Sequence, residues 1–481
     1  MTRTPRLLSR LTALTAASTA LALVSGCVVT GTTRGDDEAS DSATVESHRK
    51  NARDNLAAVD ASLRSYAVVD ETSTPKLHAH LFGIPGADSL NEATERAVLD
   101  SFDAAGAFAG RKAFSPVLTD PSLRWDPSAF TTATTASAGS TPKDTDTGAD
   151  VDISNRVLAA GGIFLLSAVT RSDVAGPTAS PNAGSTRVYL TDLSADTTVD
   201  AAELFTGDIE DSAISVDDSG ALLLDGESVR GDELTDLGLQ VADALHTPLS
   251  LPQGTDDRDP DFSCALLPCV ALTYDDGPGE PDVEDRLLAA AKSAKVRLTY
   301  FLLGKNVRHS PDVVRRMAEA GHEVGNHSFD HPQMSKKSPE TVRRQVEDTD
   351  ADIEAAGGGK PNLVRPPYGA LTKATAKALG HPAIMWDVDT EDWRSKNAGK
   401  VVDAVRAQTK PGSVVLMHSI HPSTVDAAPD VFSTVLDRGF YPVTVSELFG
   451  DQRLEKGAEY FCRGYATKLC SNPEHPEVRR N

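Results

Sequence analysis

Short apolar segments alternate with amphipathic ones throughout the second half of the chain, and this alternation constrains the fold most strongly. Strands separated by helices pair in parallel, so we predict an α/β fold, a distorted (β/α) barrel, over residues 262–450. The predicted strands lie at 270–274, 296–303, 323–325, 363–365, 384–388, 414–417 and 441–443. The predicted helices lie at 283–294, 311–320 and 338–356.

The region from 56 to 251 has a different pattern, with short apolar runs interrupted by residues 131–150, which hold almost no large apolar side chain. We predict a smaller α+β accessory domain here, preceding the catalytic barrel. Its predicted elements are strands around 162–169 and 186–191 and a helix around 231–246. Residues 252–261, rich in Asp, Pro and Gly, predict a linker, and residues 451–481 form a C-terminal extension.

Residues 1–27 have the features of an export signal. Arginines precede an apolar, alanine-rich stretch, Leu11–Val24, which is too short to span a bilayer comfortably. The segment Leu23–Cys27 resembles the cleavage box of bacterial lipoproteins, in which the cysteine is lipidated; an ordinary cleavable signal is the alternative. Residues 28–55 are small and polar and predict a flexible tether. We therefore expect an extracytoplasmic protein that faces the cell wall and is anchored to the membrane through lipid on Cys27.

Charge and cysteine content narrow the possible partners. The chain has 47 basic and 70 acidic residues and a net charge of −23, which repels phosphate backbones, so we expect no nucleic-acid partner. Apart from Cys27, the cysteines are Cys264, Cys269, Cys462 and Cys470. In an exported protein this even number predicts two disulfides, with the pairing left open.

Residues capable of chemistry follow several predicted strands, at the rim where barrels of this kind place their active sites. Asp275 and Asp276 end the first strand; adjacent carboxylates repel, so one favours a cation and the other can act as a base. A plain turn is the alternative. His327 and His331 are four residues apart, a spacing that on a helical turn directs two imidazoles to one metal ion. A pair of surface histidines is the alternative.

Three further segments carry candidate residues. Arg365 precedes two prolines and can hold a carboxylate through paired hydrogen bonds. Trp386 and Trp393 flank four acidic residues; an exposed indole would stack on a sugar ring, whereas a buried one would pack in the core. His418 ends an apolar strand, a position that suits a general acid, although buried structural histidines are common there.

Taken together, five segments resemble the NodB-homology polysaccharide deacetylases, a carbohydrate esterase family that removes acetyl groups from glycans. The segments are TYDDGP (273–278), HSFDH (327–331), RPPYG (365–369), DTEDW (389–393) and LMH (416–418). The resemblance extends from about Cys269 to Phe449. Its one departure is Tyr274, where the family usually has phenylalanine, and this change leaves both acids in place.

The resemblance implies that Asp276, His327 and His331 bind a divalent metal ion, with zinc as the expected ion. It implies that Asp275 is the general base and His418 the general acid. The implied supporting residues are Arg365, which orients Asp275; Asp392, which holds His418; Tyr368, whose backbone N–H stabilises an oxyanion; and Trp393 and Leu416, which line the acetyl pocket. Arg297, on the second predicted strand, is a further candidate for the acid network.

These residues predict a metal-dependent deacetylase of acetylated cell-envelope polysaccharide, with the N-acetylated sugars of peptidoglycan as the expected substrate. Chitooligosaccharide or acetylxylan is the alternative substrate. In a different alternative, the protein binds wall glycan through residues 56–251 without catalysis. The complete set of metal ligands and acids argues against this last alternative.

Overall fold

A computed structural model describes residues 36–70, 75–105, 116, 118, 151–173, 184–252, 260–450 and 452–463. The predicted export signal over residues 1–27, the lipidation residue Cys27 and Cys470 lie outside the described residues. By compactness the chain divides into Met1–Val45 and Glu46–Asn481. Among the described helices, none is both long enough and apolar enough to cross a membrane.

The predicted flexible tether is largely a helix. α1 (Asp36–Asp60) covers most of residues 28–55, so the tether prediction is wrong for this part. The side chain of Asn55 shows why: its Nδ2 donates to the carbonyl oxygens of Ala160 and Thr247, both at 2.8 Å, and its Oδ1 accepts from the Leu249 N–H at 2.9 Å. Composition alone could not indicate this helix, because its partner groups lie far away in the sequence.

The region from 56 to 251 contains a six-stranded sheet whose strand order follows the sequence. Neighbouring strands are antiparallel except for β2 and β3, which are parallel. The strands are β1 (Arg64–Asp70), β2 (Leu77–Gly83), β3 (Val151–Gly161), β4 (Phe164–Asp173), β5 (Gly184–Asp192) and β6 (Thr197–Asp200). A separate sheet consists of β7 (Ile214–Val216), β8 (Leu222–Leu224) and β9 (Glu227–Ser228). The helices are α2 (Asp88–Ala104) and α3 (Asp236–Ala244).

The six-stranded sheet and the C-terminal region share an apolar core. Tyr66 of β1 packs edge-on against Phe262 with ring centroids 5.0 Å apart, and its hydroxyl donates to Asp261 Oδ2 at 2.8 Å. Glu95 of α2 accepts from the N–H and the hydroxyl of Ser263, both at 2.6 Å. Residues at the end of the predicted linker are therefore packed and hydrogen-bonded on both sides, and both regions belong to the compact unit Glu46–Asn481.

The C-terminal region alternates parallel strands with helices, as the sequence predicts. The strands are β10 (Cys269–Asp275), β11 (Thr299–Leu302), β12 (Glu323–Asn326), β13 (Ala383–Ile384), β14 (Val388–Asp389), β15 (Val414–His418), β16 (Tyr441–Val443) and β17 (Glu459–Tyr460). The helices are α4 (Pro281–Ala294), α5 (Gly304–His309), α6 (Pro311–Glu319), α7 (Pro339–Ala355), α8 (Lys373–Ala378), α9 (Asp392–Ser395), α10 (Ala398–Gln408), α11 (Pro422–Asp437) and α12 (Val445–Phe449). The sequence patterns did not predict α5 or the helices from α8 onward.

Backbone pairing closes these strands into a ring. The order β12-β11-β10-β15-β14 continues from Asn326 to Val364 and from Val364 to Ala383 through single bridges. Ala383 and Val388 belong to one chain segment, and Val388 of β14 pairs with Val415 of β15. This segment therefore connects the β12 end of the sheet to the β14 end and closes the ring. The ring is distorted, since the segment is interrupted between β13 and β14 and the strand expected at 363–365 is reduced to the Val364 bridge.

β10 lies in the middle of the parallel sheet, between β11 and β15, and all its residues are buried. A strand covered on both faces has no polar side, which explains its continuous apolar sequence. Its C-terminal end therefore carries Asp275 into the centre of the rim. At its other end Cys269 forms a disulfide with Cys264, and Cys462 is also disulfide-bonded.

We predict that Asn55→Ala lowers the free energy of unfolding by about 1–3 kcal/mol, because it leaves buried backbone groups without their partners. The measurement is equilibrium urea unfolding followed by circular dichroism. Asp54→Ala is the control: Asp54 is exposed and, among the described residues, pairs only with Lys50 at 2.6 Å, so its loss should cost less than about 0.5 kcal/mol. Equal effects of the two substitutions would contradict the docking of α1 through Asn55.

Candidate active site

The predicted site residues converge at the C-terminal ends of the barrel strands. Asp275 and His418 end the paired strands β10 and β15 and lie directly opposite each other in the register. His327 follows β12, and Asp392 begins α9, shortly after β14. Parallel pairing thus brings residues from distant parts of the sequence to one edge of the sheet.

Asp276, His327 and His331 form a compact group of potential metal ligands. One ligand atom from each lies within 4.8 Å of the others. Asp276 Oδ1 is 3.5 Å from His327 Nε2 and 3.4 Å from His331 Nε2, and it is buried with no hydrogen-bond partner in the described part of the chain. A buried carboxylate oxygen facing two imidazole nitrogens is a donor set that divalent transition metals accept, so these residues fit such an ion.

The two histidines do not lie on a helical turn, so that part of the prediction is wrong. They belong to a loop in which Ser328 has a φ of 72° and His331 a φ of 65°. The Ser328 N–H donates to Asn326 Oδ1 at 2.7 Å, so a side chain supports the turn where helical hydrogen bonds were expected. The i,i+4 spacing correctly indicated that the two imidazoles lie close together, but left-handed backbone at Ser328 and His331, and not a helix, brings them together.

His327 has a defined tautomer. Its Nδ1 donates to the backbone carbonyl of Arg365 at 2.7 Å, which leaves the unprotonated Nε2 facing Asp276. Burial lowers the pKa of His327 to about 3, despite the opposing effect of the Asp276 charge. At neutral pH the imidazole is therefore neutral and presents a lone pair to the ligand group.

Asp275 is buried beside the ligand group and is held by Arg365. Nη1 of Arg365 donates to Asp275 Oδ1 at 2.8 Å, while Oδ2 lies 3.7 Å from His327 Nε2. The guanidinium is itself fixed, since Nε donates to the Ile384 carbonyl and Nη2 to the Met385 carbonyl, both at 3.0 Å. Burial raises the pKa of Asp275, and the positive charge of Arg365 opposes this rise. A carboxylate in this setting is suited to accept a proton.

His418 is held by Asp392 from two directions. Asp392 Oδ1 lies 2.8 Å from His418 Nδ1, and Oδ2 accepts from the His418 N–H and the Thr424 hydroxyl, both at 2.7 Å. Burial alone would lower the pKa of His418, but the hydrogen bond and charge of Asp392 outweigh it and raise the pKa to about 9. The imidazole therefore carries a proton at neutral pH and can donate it.

The two tryptophans near the site have different environments. Trp386 is buried with its ring 5.7 Å from the guanidinium of Arg365, so it is a core residue. Trp393 is 50% exposed and Tyr368 58% exposed, and the Tyr368 ring contacts the ring of His331 at 4.5 Å between centroids. Leu416 is buried in β15. Both rings thus present aromatic surface to solvent, Tyr368 beside His331 and Trp393 next in the sequence to Asp392.

Arg297 does not reach the acid network, contrary to expectation. Its Nη2 lies 2.5 Å from Glu447 Oε1. Arg297 precedes β11 and is therefore at the N-terminal end of the strands, opposite the rim. Asn306 was not among the predicted site residues, yet its Nδ2 donates to the backbone carbonyl of Asp276 at 2.7 Å. Its position in α5, directly after β11, was the available signal.

The barrel region matches known proteins in sequence. The model of the family described as "Polysaccharide deacetylase" matches residues 265–384. The chain is 41% identical over 192 residues to the peptidoglycan-N-acetylglucosamine deacetylase PgdA of Listeria monocytogenes, covering 40% of this chain and 41% of that protein. It is 37% identical over 203 residues to the peptidoglycan-N-acetylmuramic acid deacetylase PdaC of Bacillus subtilis, covering 42% of each. It is 37% identical over 160 residues to a chitooligosaccharide deacetylase of Bradyrhizobium, covering 32% of this chain and 71% of that protein.

The chain belongs to the polysaccharide deacetylase family. The resemblance found in the five segments is thereby confirmed. The chain spans about two fifths of the length of the Listeria and Bacillus relatives, at 41% and 42%. Family membership thus applies to the barrel that carries the site.

We predict that Asp392→Asn lowers the pKa of His418 from about 9, since the largest of the influences that raise it is lost and only the smaller effects of the Asp275 and Asp276 charges then oppose burial. The measurement is an NMR pH titration of the His418 ring in metal-free protein. Asp403→Asn, an exposed change on α10, is the control and should leave the value near 9. A His418 pKa unchanged by Asp392→Asn would rule out Asp392 as the cause.

Proposed function

We propose that this protein is a metal-dependent deacetylase that removes N-acetyl groups from the amino sugars of peptidoglycan. The observation that carries the proposal is the Asp276-His327-His331 group beside a buried carboxylate, Asp275, with the protonated His418 on the adjacent strand. The activities named for the Listeria and Bacillus relatives support peptidoglycan as the substrate.

The chain's own residues suit the two proton transfers that amide hydrolysis needs. A divalent cation, for which we propose zinc, would be held by Asp276, His327 and His331 and would polarise a carbonyl oxygen and lower the pKa of water. Asp275, oriented through Oδ1 by Arg365, accepts a proton from the attacking water.

The second transfer belongs to His418. It donates its proton to the leaving amine, which cannot depart readily as an anion. Asp392 keeps that proton on the imidazole at neutral pH. The backbone N–H of Tyr368 stabilises the developing oxyanion, and Leu416 and Trp393 receive the acetyl methyl group.

We further propose an extracytoplasmic location, with export directed by residues 1–27 and lipid attached at Cys27. The sequence of the segment Leu23–Cys27 and the cell-wall substrates in the names of the relatives support this location. Residues 56–251 would then form an accessory domain packed against the barrel at 262–450, and residues 451–481 an extension.

Chitooligosaccharide is a second candidate substrate, favoured by the activity named for the Bradyrhizobium relative. Acetate release from purified peptidoglycan, chitooligosaccharide and acetylxylan, measured at equal acetyl concentration, separates the candidates. We expect the fastest release from peptidoglycan. Retention on peptidoglycan without acetate release from any of the three would instead favour a glycan-binding protein.

We predict that His327→Ala abolishes both zinc retention and acetate release, because one ligand of the group is lost. The measurements are metal content after dialysis and acetate release from peptidoglycan. His309→Ala, which changes a histidine at the end of α5 outside the ligand group, is the control and should leave both unchanged. Full zinc content in His327→Ala would exclude His327 as a ligand.

We predict opposite behaviour for the two neighbouring acids. Asp275→Asn should keep zinc affinity within about threefold while lowering acetate release by at least about 100-fold, the usual range for loss of a general base. Asp276→Asn should lose zinc affinity as well. Chelator competition and acetate assays check both variants. An active Asp275→Asn protein would mean that Asp275 is not the base.

A further inference from the structure

Glu284 is a buried carboxylate outside the five family segments, and it bonds to the residues that directly follow two of them. It lies in the first turn of α4 and is fully buried. Its Oε1 accepts from the N–H of Gly279 and from the hydroxyl of Ser419, both at 2.7 Å. Gly279 ends the loop that begins with the metal ligand Asp276, and Ser419 directly follows His418. One oxygen atom therefore connects the two sides of the candidate active site.

The loop on the metal side needs external support. Asp276 has a φ of 70°, a left-handed conformation that a residue with a side chain keeps only when its surroundings fix it. Asn306 donates to the Asp276 carbonyl at 2.7 Å, and the Leu303 N–H donates to the Gly277 carbonyl at 2.9 Å. These contacts hold the start of the loop, and Glu284 holds its end.

The two loops are packed closely around Glu284. A Cβ atom added at Gly277 would lie 2.9 Å from Ser419 Oγ and 3.2 Å from Glu284 Oε1, closer than side chains normally approach. Ser419 is fully buried. A small shift of either loop would therefore move the other.

We propose that Glu284 is a positioning residue that fixes the metal ligand Asp276 relative to the proton donor His418. This inference rests on the proposed deacetylase function. Holding the turn that precedes α4 would require only the bond to Gly279, whereas the bond to Ser419 couples this turn to the loop of His418. Displacement of a reacting group by about 1 Å can lower a rate by about 100-fold, so the coupling has a kinetic consequence.

Three substitutions separate the two bonds. Glu284→Ala removes both, Ser419→Ala removes only the link to the His418 loop, and Glu284→Gln keeps an oxygen that can accept both. Asp282→Ala, an exposed acid in the same turn of α4, is the matched control. For each full-length variant the measurements are zinc affinity by competition with a chromophoric chelator, kcat and KM for acetate release, and the melting temperature.

We expect Glu284→Ala to weaken zinc binding about tenfold and to lower kcat about 10- to 100-fold. Ser419→Ala should lower kcat about tenfold while zinc affinity stays within about twofold. Glu284→Gln should remain within about threefold of the unsubstituted protein in both properties, and Asp282→Ala should change neither. A purely structural role would not produce this separation between kcat and zinc affinity.

A folded Glu284→Ala protein with kcat and zinc affinity within about twofold of the unsubstituted protein would overturn the proposal. If Glu284→Ala does not fold, Ser419→Ala and Glu284→Gln still test the proposal. An unchanged kcat in Ser419→Ala would contradict it. A kcat lowered as much as about 100-fold in Glu284→Gln would also contradict it. Failure of the unsubstituted protein to release acetate from any of the three glycans would refute the proposed function instead. The zinc affinities would still test Glu284 in that case.

Discussion

The arrangement of the site depends on one fully buried guanidinium. Arg365 has no exposed surface, and its side chain joins two parts of the barrel: it donates to Thr273 and Asp275 of β10 and to the carbonyls of Ile384 and Met385. Its own carbonyl accepts from Nδ1 of His327, so the same residue sets the tautomer of a proposed metal ligand. Removing one partner of a buried ion pair leaves an uncompensated charge, which makes Asp275 and Arg365 mutually dependent.

Asp275 and His418 show how two neighbouring residues of one sheet can differ in the protonation state that their surroundings favour. They are register partners on adjacent strands, yet their environments act in opposite ways. Burial favours the neutral form of Asp275, whereas Asp392 favours the charged form of His418. The residues that we propose as proton acceptor and proton donor are thus placed side by side by ordinary strand pairing, with their pKa values set by different neighbours.

The sequence predicted the strands of the barrel well because buried parallel strands have a direct signature, a short continuous apolar run such as 270–274. It also predicted which residues converge, since the C-terminal ends of parallel strands meet at one rim. It failed where long-range contacts decide the local structure. The helix α1 depends on acceptors near Ala160 and Thr247, and the loop of His327 depends on Asn326 and a left-handed Ser328. Neither dependence leaves a periodic pattern in the sequence.

The contacts of Tyr66 with the barrel limit how the N-terminal sheet could be lost in evolution. Tyr66 contacts both Phe262 and Tyr441 of the barrel, with ring centroids 5.0 and 5.9 Å apart. Once such aromatic side chains occupy a surface, a barrel freed from its N-terminal sheet would present them to water and become prone to self-association. A deletion of the N-terminal sheet would therefore not be tolerated by itself. Polar substitutions would also be needed on the barrel surface that the sheet now covers.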